Sequence, residues 1–223
     1  MSDNDGLATR FVPLKSLRTL IPVGEAILAD ARKAVEALEK VGEKMNALTD
    51  VIAIAQSMGR IDDLVAYCYP LLDDPLWSQH RAHILVRLAD VCFEGSRFDQ
   101  ALGYYLQCAE IEVDNDNLRH HRLEAAAFCC LMKGDPLQAL DHSKAAIVIN
   151  PEHWHAWRHL GMCYEALDDP REAANCYARA IKLSDGNVIP IVHLRELVKR
   201  RESAIPHLQK IRHELSERLG VLV

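Results

Sequence analysis

The chain has 223 residues, enough for a sizeable core in one domain or a short array, and 49% of them are hydrophobic. Lys and Arg number 26 against 32 Asp and Glu, for a net charge of −6. That balance argues against a general nucleic-acid binder, which needs a cationic surface to displace phosphate counterions. Glycine and proline are scarce, long stretches are rich in Ala, Leu, Glu and Arg, and alternating Val, Ile and Thr runs are missing. The composition predicts helix and no sheet.

In chain order, residues 1–22 read as a semi-apolar arm, "FVPLKSLRTLIP" at its centre. It either covers the first helix of the array or docks into a groove of a partner or of the chain itself. Residues 23–44 read as a capping helix, strongest from Gly24 to Lys40. Ala31, Ala34, Leu38, Val41, Met45, Leu48 and Ile52 keep a 3–4 spacing, giving one long helix or two broken at Gly42. Capping is the expected role, with dimerisation through this helix as the alternative.

From residue 45 to 187 the pattern repeats. Ala173, Tyr177 and Ala180 stand 34 residues after Ala139, Ser143 and Ala146. Ala101, Tyr105 and Cys108 stand one longer step earlier, and Leu64, Cys68 and Leu71 one more. A preceding helix repeats in register: Trp157, Leu160, Gly161 and Tyr164 align with Leu123, Ala126, Ala127 and Cys130, then with Leu85, Leu88, Ala89 and Cys92. Turn sequences "EGSRFDQ", "MKGDPLQ" and "LDDPREA" separate the two helices of each pair, and Asn150–Pro151 closes a unit. The longer steps imply irregular loops near "PLWSQH" and "DNDNLR". Residues 188–223 read as a C-terminal helical cap, "IPIVHLRELVKR" then "IPHLQKIRHELSERLG".

Trp157, Leu160–Gly161, Tyr164, Ala173, Tyr177 and Ala180 resemble the signature of the tetratricopeptide repeat (TPR) family. Units at 120–153 and 82–115 match in part, and a degenerate one lies at 45–78. The resemblance implies an all-α fold, a right-handed α-α superhelix of helix pairs with capping helices, in which neither helix of a pair buries its apolar face alone. It implies a non-enzymatic protein-binding module (a scaffold, an adaptor or a chaperone-like protein) whose first helices line a concave groove. The groove positions are then His83, Arg87, Asp90 and Phe93; His121, Glu124, Phe128, Leu131 and Met132; and His155, Arg158, Met162 and Glu165. His83, His121 and His155 recur at one place in three units, a ladder able to meet acidic groups or respond to pH. "LEAAAFCCLM" is apolar nearly all round, which predicts an uncovered patch at Phe128, Leu131 and Met132. The lysines and asparagines with which some family members grip a C-terminal carboxylate are replaced by residues such as Arg158, His159, Glu124, Ala125, Val86 and Arg87. That ligand is not expected. The expected partner is a protein or peptide; a self-assembling structural scaffold, a homo-oligomer, is the main alternative, and a metal- or pH-responsive binding protein acting through the histidines is the second.

Chemistry finds no firm foothold. His155 and His159 share a helix face, as zinc ligands can, but no spacing fixes a second ligand pair, so no metal or cofactor is predicted. His120–His121 with Cys129–Cys130 would suit a thiol nucleophile and base, yet both cysteines lie in an alanine-rich helix where a thiol is buried and inert. No phosphate-binding glycine loop or Gly-x-Ser-x-Gly is present, and the Asp pairs of the two "LDDP" sequences belong to turns. The 7 cysteines lack any Cys-x-x-Cys and read as reduced, buried small hydrophobes. No apolar run of about 18 residues would span a membrane, and the N-terminus lacks the apolar core of a signal peptide. The expected location is the cytoplasm.

Overall fold

Helix pairs account for nearly all of the chain that the computed structural model describes: residues 14–112, 114–185 and 187–201, with Ile211, His213 and Ser216 beyond, and side chains from Glu25 onward. Among the described residues there are ten α-helices and no strand. The chain divides into two compact units, Met1–His80 and Arg81–Val223.

The first unit holds α1 (Leu14–Ala37), α2 (Val41–Ser57) and α3 (Ile61–Cys68), followed by 3-10 turns at Tyr69–Leu72 and Pro75–His80. Helix α1 begins inside the segment read as an arm, and only residues 1–13 of that arm lie outside the described residues. The break falls at residues 38–40, with Gly42 inside the first turn of α2. Lys44 explains the position: its ammonium donates to the carbonyls of Val35 (3.2 Å) and Glu36 (3.3 Å), which the helix end leaves without intrahelical partners. From Glu25 onward α1 buries Leu28 and Val35, while Ala34, part of the expected stripe, is exposed. Two arginines tie α1 to α3. Arg32 donates to the Asp63 carbonyl (2.9 Å) and lies over the Tyr67 ring, and Arg60 pairs with Glu25 at 2.8 Å. The expected loop at "PLWSQH" is a 3-10 turn that buries Trp77.

The second unit holds α4 (Arg81–Glu94), α5 (Phe98–Ile111), α6 (Asp116–Lys133), α7 (Pro136–Ile149), α8 (Trp154–Ala166), α9 (Pro170–Leu183) and α10 (Val188–Arg201). Each packs on the next, and α6 also touches α8. The small residues of the repeat lie where two helices approach: Ala89, Ala127, Ala101, Ala139, Ala173, Ala146 and Ala180 are fully buried. Gly161 faces the buried ring of Tyr177. The second insertion forms no loop. It lengthens α6 to 18 residues, adding a turn from Asp116 that Asn115 caps by accepting from the Leu118 N–H. The second helices α7 and α9 start on an aspartate cap followed by proline, Asp135–Pro136 and Asp169–Pro170. At the C-terminal end, Ile191, Leu194, Leu197, Val198 and Ile211 close over Ala173, Tyr177 and Ile181. Apart from Ile211, His213 and Ser216, residues 202–223 of the segment read as a last helix lie outside the described residues.

The turns between paired helices record the repeat most sharply. Gly59, Ser96, Gly134 and Asp168 all take left-handed φ values of 59° to 79°. After each, the next N–H reaches back to close the preceding helix: Arg60 to Ala55, Arg97 to Cys92, Asp135 to Cys130 and Asp169 to Tyr164. A Cβ strains that conformation by about 1–2 kcal/mol. Ser96→Gly is therefore expected to raise the unfolding free energy by about 0.5–1 kcal/mol, after the glycine's extra unfolded-state entropy is deducted. Urea midpoints of the two proteins check it; an unchanged or lower midpoint would show that Ser96 is not strained.

Candidate functional site

The first helices of the second unit meet edge to edge through aromatic side chains. Phe93 of α4 lies 5.4 Å from Phe128 of α6, and Phe128 stacks on His159 of α8 at 5.0 Å. Phe98 meets Phe93 edge-on at 5.4 Å. Further along, α8 and α10 border a cleft of about 590 Å³, lined by Met162, Glu165, Val192, His193, Glu196 and Arg200. Glu165, part of this lining, is held on both oxygens. One oxygen accepts from the Tyr177 hydroxyl at 2.9 Å and the other from Arg200 at 3.0 Å. His193 stacks on the Tyr177 ring. The cleft therefore offers apolar contact from Met162 and Val192 between fixed charges.

A second constellation surrounds Glu124, which is only 8% exposed. Imidazole Nδ1 atoms approach its carboxylate from His153 (3.2 Å), His155 (3.4 Å), His159 (3.6 Å) and His121 (3.7 Å). Burial pushes the Glu124 carboxyl up, but the surrounding histidines outweigh it and hold it below the ordinary carboxylate range. Burial lowers His121 and His155 below the usual imidazole value. It drives His159 down to about 3, assisted by the Arg158 guanidinium and opposed by Glu124. Arg158 hydrogen-bonds the His159 Nε2 at 2.5 Å. Because an arginine can only donate, Nε2 accepts and the His159 proton sits on Nδ1, towards Glu124.

The thirteen residues expected along a groove fall into several environments. Met162 and Glu165 line the cleft. Phe93 and Phe128 are half-buried in the aromatic row, with Leu131 also half-buried and Met132 50% exposed beside them. His83 is exposed on α4. Asp90 accepts from the Tyr105 hydroxyl at 2.6 Å and lies 3.9 Å from Arg87. Glu124 faces the interior, where it gathers His121 and His155 together, and Arg158 is half-buried against His159 and Trp154. His120, His153 and His159 join this constellation without having been expected there. The repeat period itself carries the signal, since residues one unit apart stand side by side on successive first helices: His120 beside His153, and His121 within reach of His155 through His153.

All seven cysteines are buried, and none is in a disulfide. Burial raises Cys129 to about 12 and Cys130 to about 11, so both remain thiols at neutral pH.

Helix pairs in fixed register, small residues at their crossings and one shared turn geometry define a helical-repeat protein. Residues 154–187 match the tetratricopeptide repeat family. Among solved structures, BtubC (BKLC) from P. vanneervenii is similar at TM-score 0.60 and 16% identity, over 90% of this chain and 92% of that one. MamA is similar at TM-score 0.57 and 15% identity, over 82% and 98%. The Sgt2 TPR domain from Aspergillus fumigatus is similar at TM-score 0.51 and 19% identity, over 55% and 80%. No curated protein matches the sequence. One unit of the chain therefore matches the tetratricopeptide repeat by sequence, and its all-α fold is that of a tetratricopeptide-like helical-repeat superhelix. Among the described residues, no helix is long and apolar enough to cross a membrane.

Proposed function

We propose that this protein binds a segment of another protein along the first-helix face of its second unit. The observation that carries this reading is the cleft between α8 and α10, where Met162 and Val192 offer apolar surface next to Glu165, Glu196 and Arg200. Val192 is 50% exposed there, and its neighbours Val188 and Ile189 are 66% and 43% exposed. An apolar patch rimmed by charge is the usual form of a protein-binding surface. The aromatic row Phe93–Phe128–His159 extends the same set of first helices away from the cleft. A partner segment would place an apolar side chain between Met162 and Val192 and run on along α8. Arg158 and Arg87 already lie beside groups of this chain, so apolar contact and not charge sets the affinity of this face.

A photo-cross-linking residue at position 192 tests the reading in cells that express the full chain. Capture of a partner at 192, and none at the 83% exposed position 148 on α7, is the expected result. Val192→Glu should then weaken that partner's binding by about tenfold or more, the loss of one buried anchor. Capture of further copies of this chain alone would overturn the adaptor reading in favour of self-assembly.

A further inference from the structure

We propose that His120, His121 and His153 form a binding site for a divalent first-row transition metal ion of the zinc type, with the Glu124 carboxylate beside it. One nitrogen from each of the three rings lies within 4.8 Å of the other two. The ring centroids stand 4.0 Å apart for His120–His121 and 4.8 Å for both His120–His153 and His121–His153. Tetrahedral zinc with nitrogen ligands at about 2.0–2.1 Å needs nitrogens about 3.4 Å apart. Small rotations of His121 and His153, which are exposed and half-buried, close that difference.

His120 is the fixed member and supplies the strongest argument. It is 2% exposed, and its Nδ1 lies 2.9 Å from the Asp116 carbonyl. A carbonyl only accepts, so the proton sits on Nδ1 and the lone pair on Nε2. That Nε2 is buried and has no hydrogen-bond partner. A buried imidazole whose second nitrogen is held by a backbone carbonyl is the arrangement that orients a metal-ligating histidine. The Asp116 carbonyl is there because α6 carries an extra N-terminal turn compared with α8. The His153 Nδ1 is likewise buried and unpartnered, 3.2 Å from a Glu124 oxygen but out of line for a hydrogen bond.

Charge favours the same ligand. Three imidazoles in contact bring a nitrogen each to one small region. A dication would be shared among them and neutralised in part by the Glu124 carboxylate, 3.2 Å from the His153 Nδ1 and 3.7 Å from the His121 Nδ1. Imidazole donors suit Zn²⁺, Ni²⁺, Co²⁺ and Cu²⁺, whereas Mg²⁺ and Ca²⁺ require oxygen ligands.

The test uses the full chain, stripped with chelator and kept reduced. Co²⁺ is added as a visible probe, and Zn²⁺ is titrated as its competitor and followed by calorimetry. Uptake of a single equivalent, with Co²⁺ displaced by Zn²⁺ and a rise in Tm, is expected. His120→Gln and His121→Asn should each weaken binding by at least about tenfold, while His142→Gln on α7 leaves it unchanged. His121 is exposed, so His121→Asn keeps the test decisive if His120→Gln fails to fold. No stoichiometric uptake by the folded wild type, or uptake that survives His121→Asn or disappears on alkylating the cysteines, would overturn the proposal.

Discussion

Tyr177→Ala is expected to lower the unfolding free energy by about 3–5 kcal/mol, a large share of the stability of a domain this size. Tyr177 is fully buried, the largest such side chain among the described residues. Its ring packs against Ala173, Ala174, Ile181, Leu194 and Leu197, and its hydroxyl donates to Glu165. Truncation therefore leaves a large cavity and removes a partner from a half-buried carboxylate. The opposite change at the same contact should also destabilise. A Cβ at Gly161 would stand 2.5 Å from the Tyr177 Cε1 and 2.7 Å from its Cδ1. The ring cannot retreat, because the core encloses it and Glu165 holds its hydroxyl. Gly161→Ala should cost about 1–3 kcal/mol by overpacking. In the Tyr177→Ala background the alanine at 161 meets open space, and its cost should vanish or turn into a gain. Urea unfolding of the four proteins measures this coupling. Strictly additive losses would show that residues 161 and 177 do not share one packing site.

Acidification should destabilise the protein from pH 6.5 downwards, and His159 should account for about 2 kcal/mol of that loss by pH 5. The direction is set by which state binds the proton. Burial takes His159 from 6.5 to about 3 in the folded protein. Between those values the unfolded chain binds a proton that the folded chain refuses, so stability rises with pH across this window and is flat above it. His142 and His193, also lowered by burial, act in the same direction. His159→Phe keeps a ring stacked on Phe128 and removes the titrating group. Its unfolding free energy should fall less steeply between pH 6.5 and 5 than that of the wild type. Parallel curves would sink the assignment of His159 as a buried neutral imidazole.

Much of this architecture is legible in the residue pattern because it depends on short-range spacing. Ala173, Tyr177 and Ala180 lie on one face of one helix whatever surrounds them, and their recurrence locates the helix pairs. The break after α1 is less legible. Gly42 is a weak breaker that helices tolerate near an end, whereas the deciding group, Lys44, folds back onto carbonyls several residues earlier. The extra length near "DNDNLR" suggests a loop only because a spacing counts residues without saying how they fold. Asn115 caps a helix at that point, and the additional residues join it.

The groove residues divide along the same line. Sequence register places Glu124 on a first helix, but it does not say that four imidazoles arrive from α6, the α7–α8 connection and α8 to bury it. Likewise Arg158 has the register of a groove cation, and its neighbour His159 draws it aside. By itself the sequence determined the helical class, the repeat register and the tight crossing at Gly161. All three arise from the 3.6-residue period and from side-chain volume. Only the tertiary structure decided which polar groups face solvent, which histidines meet, and where a cleft remains between α8 and α10. Those outcomes depend on the rotamers and burial of residues brought together from different repeats, and local spacing carries no record of them.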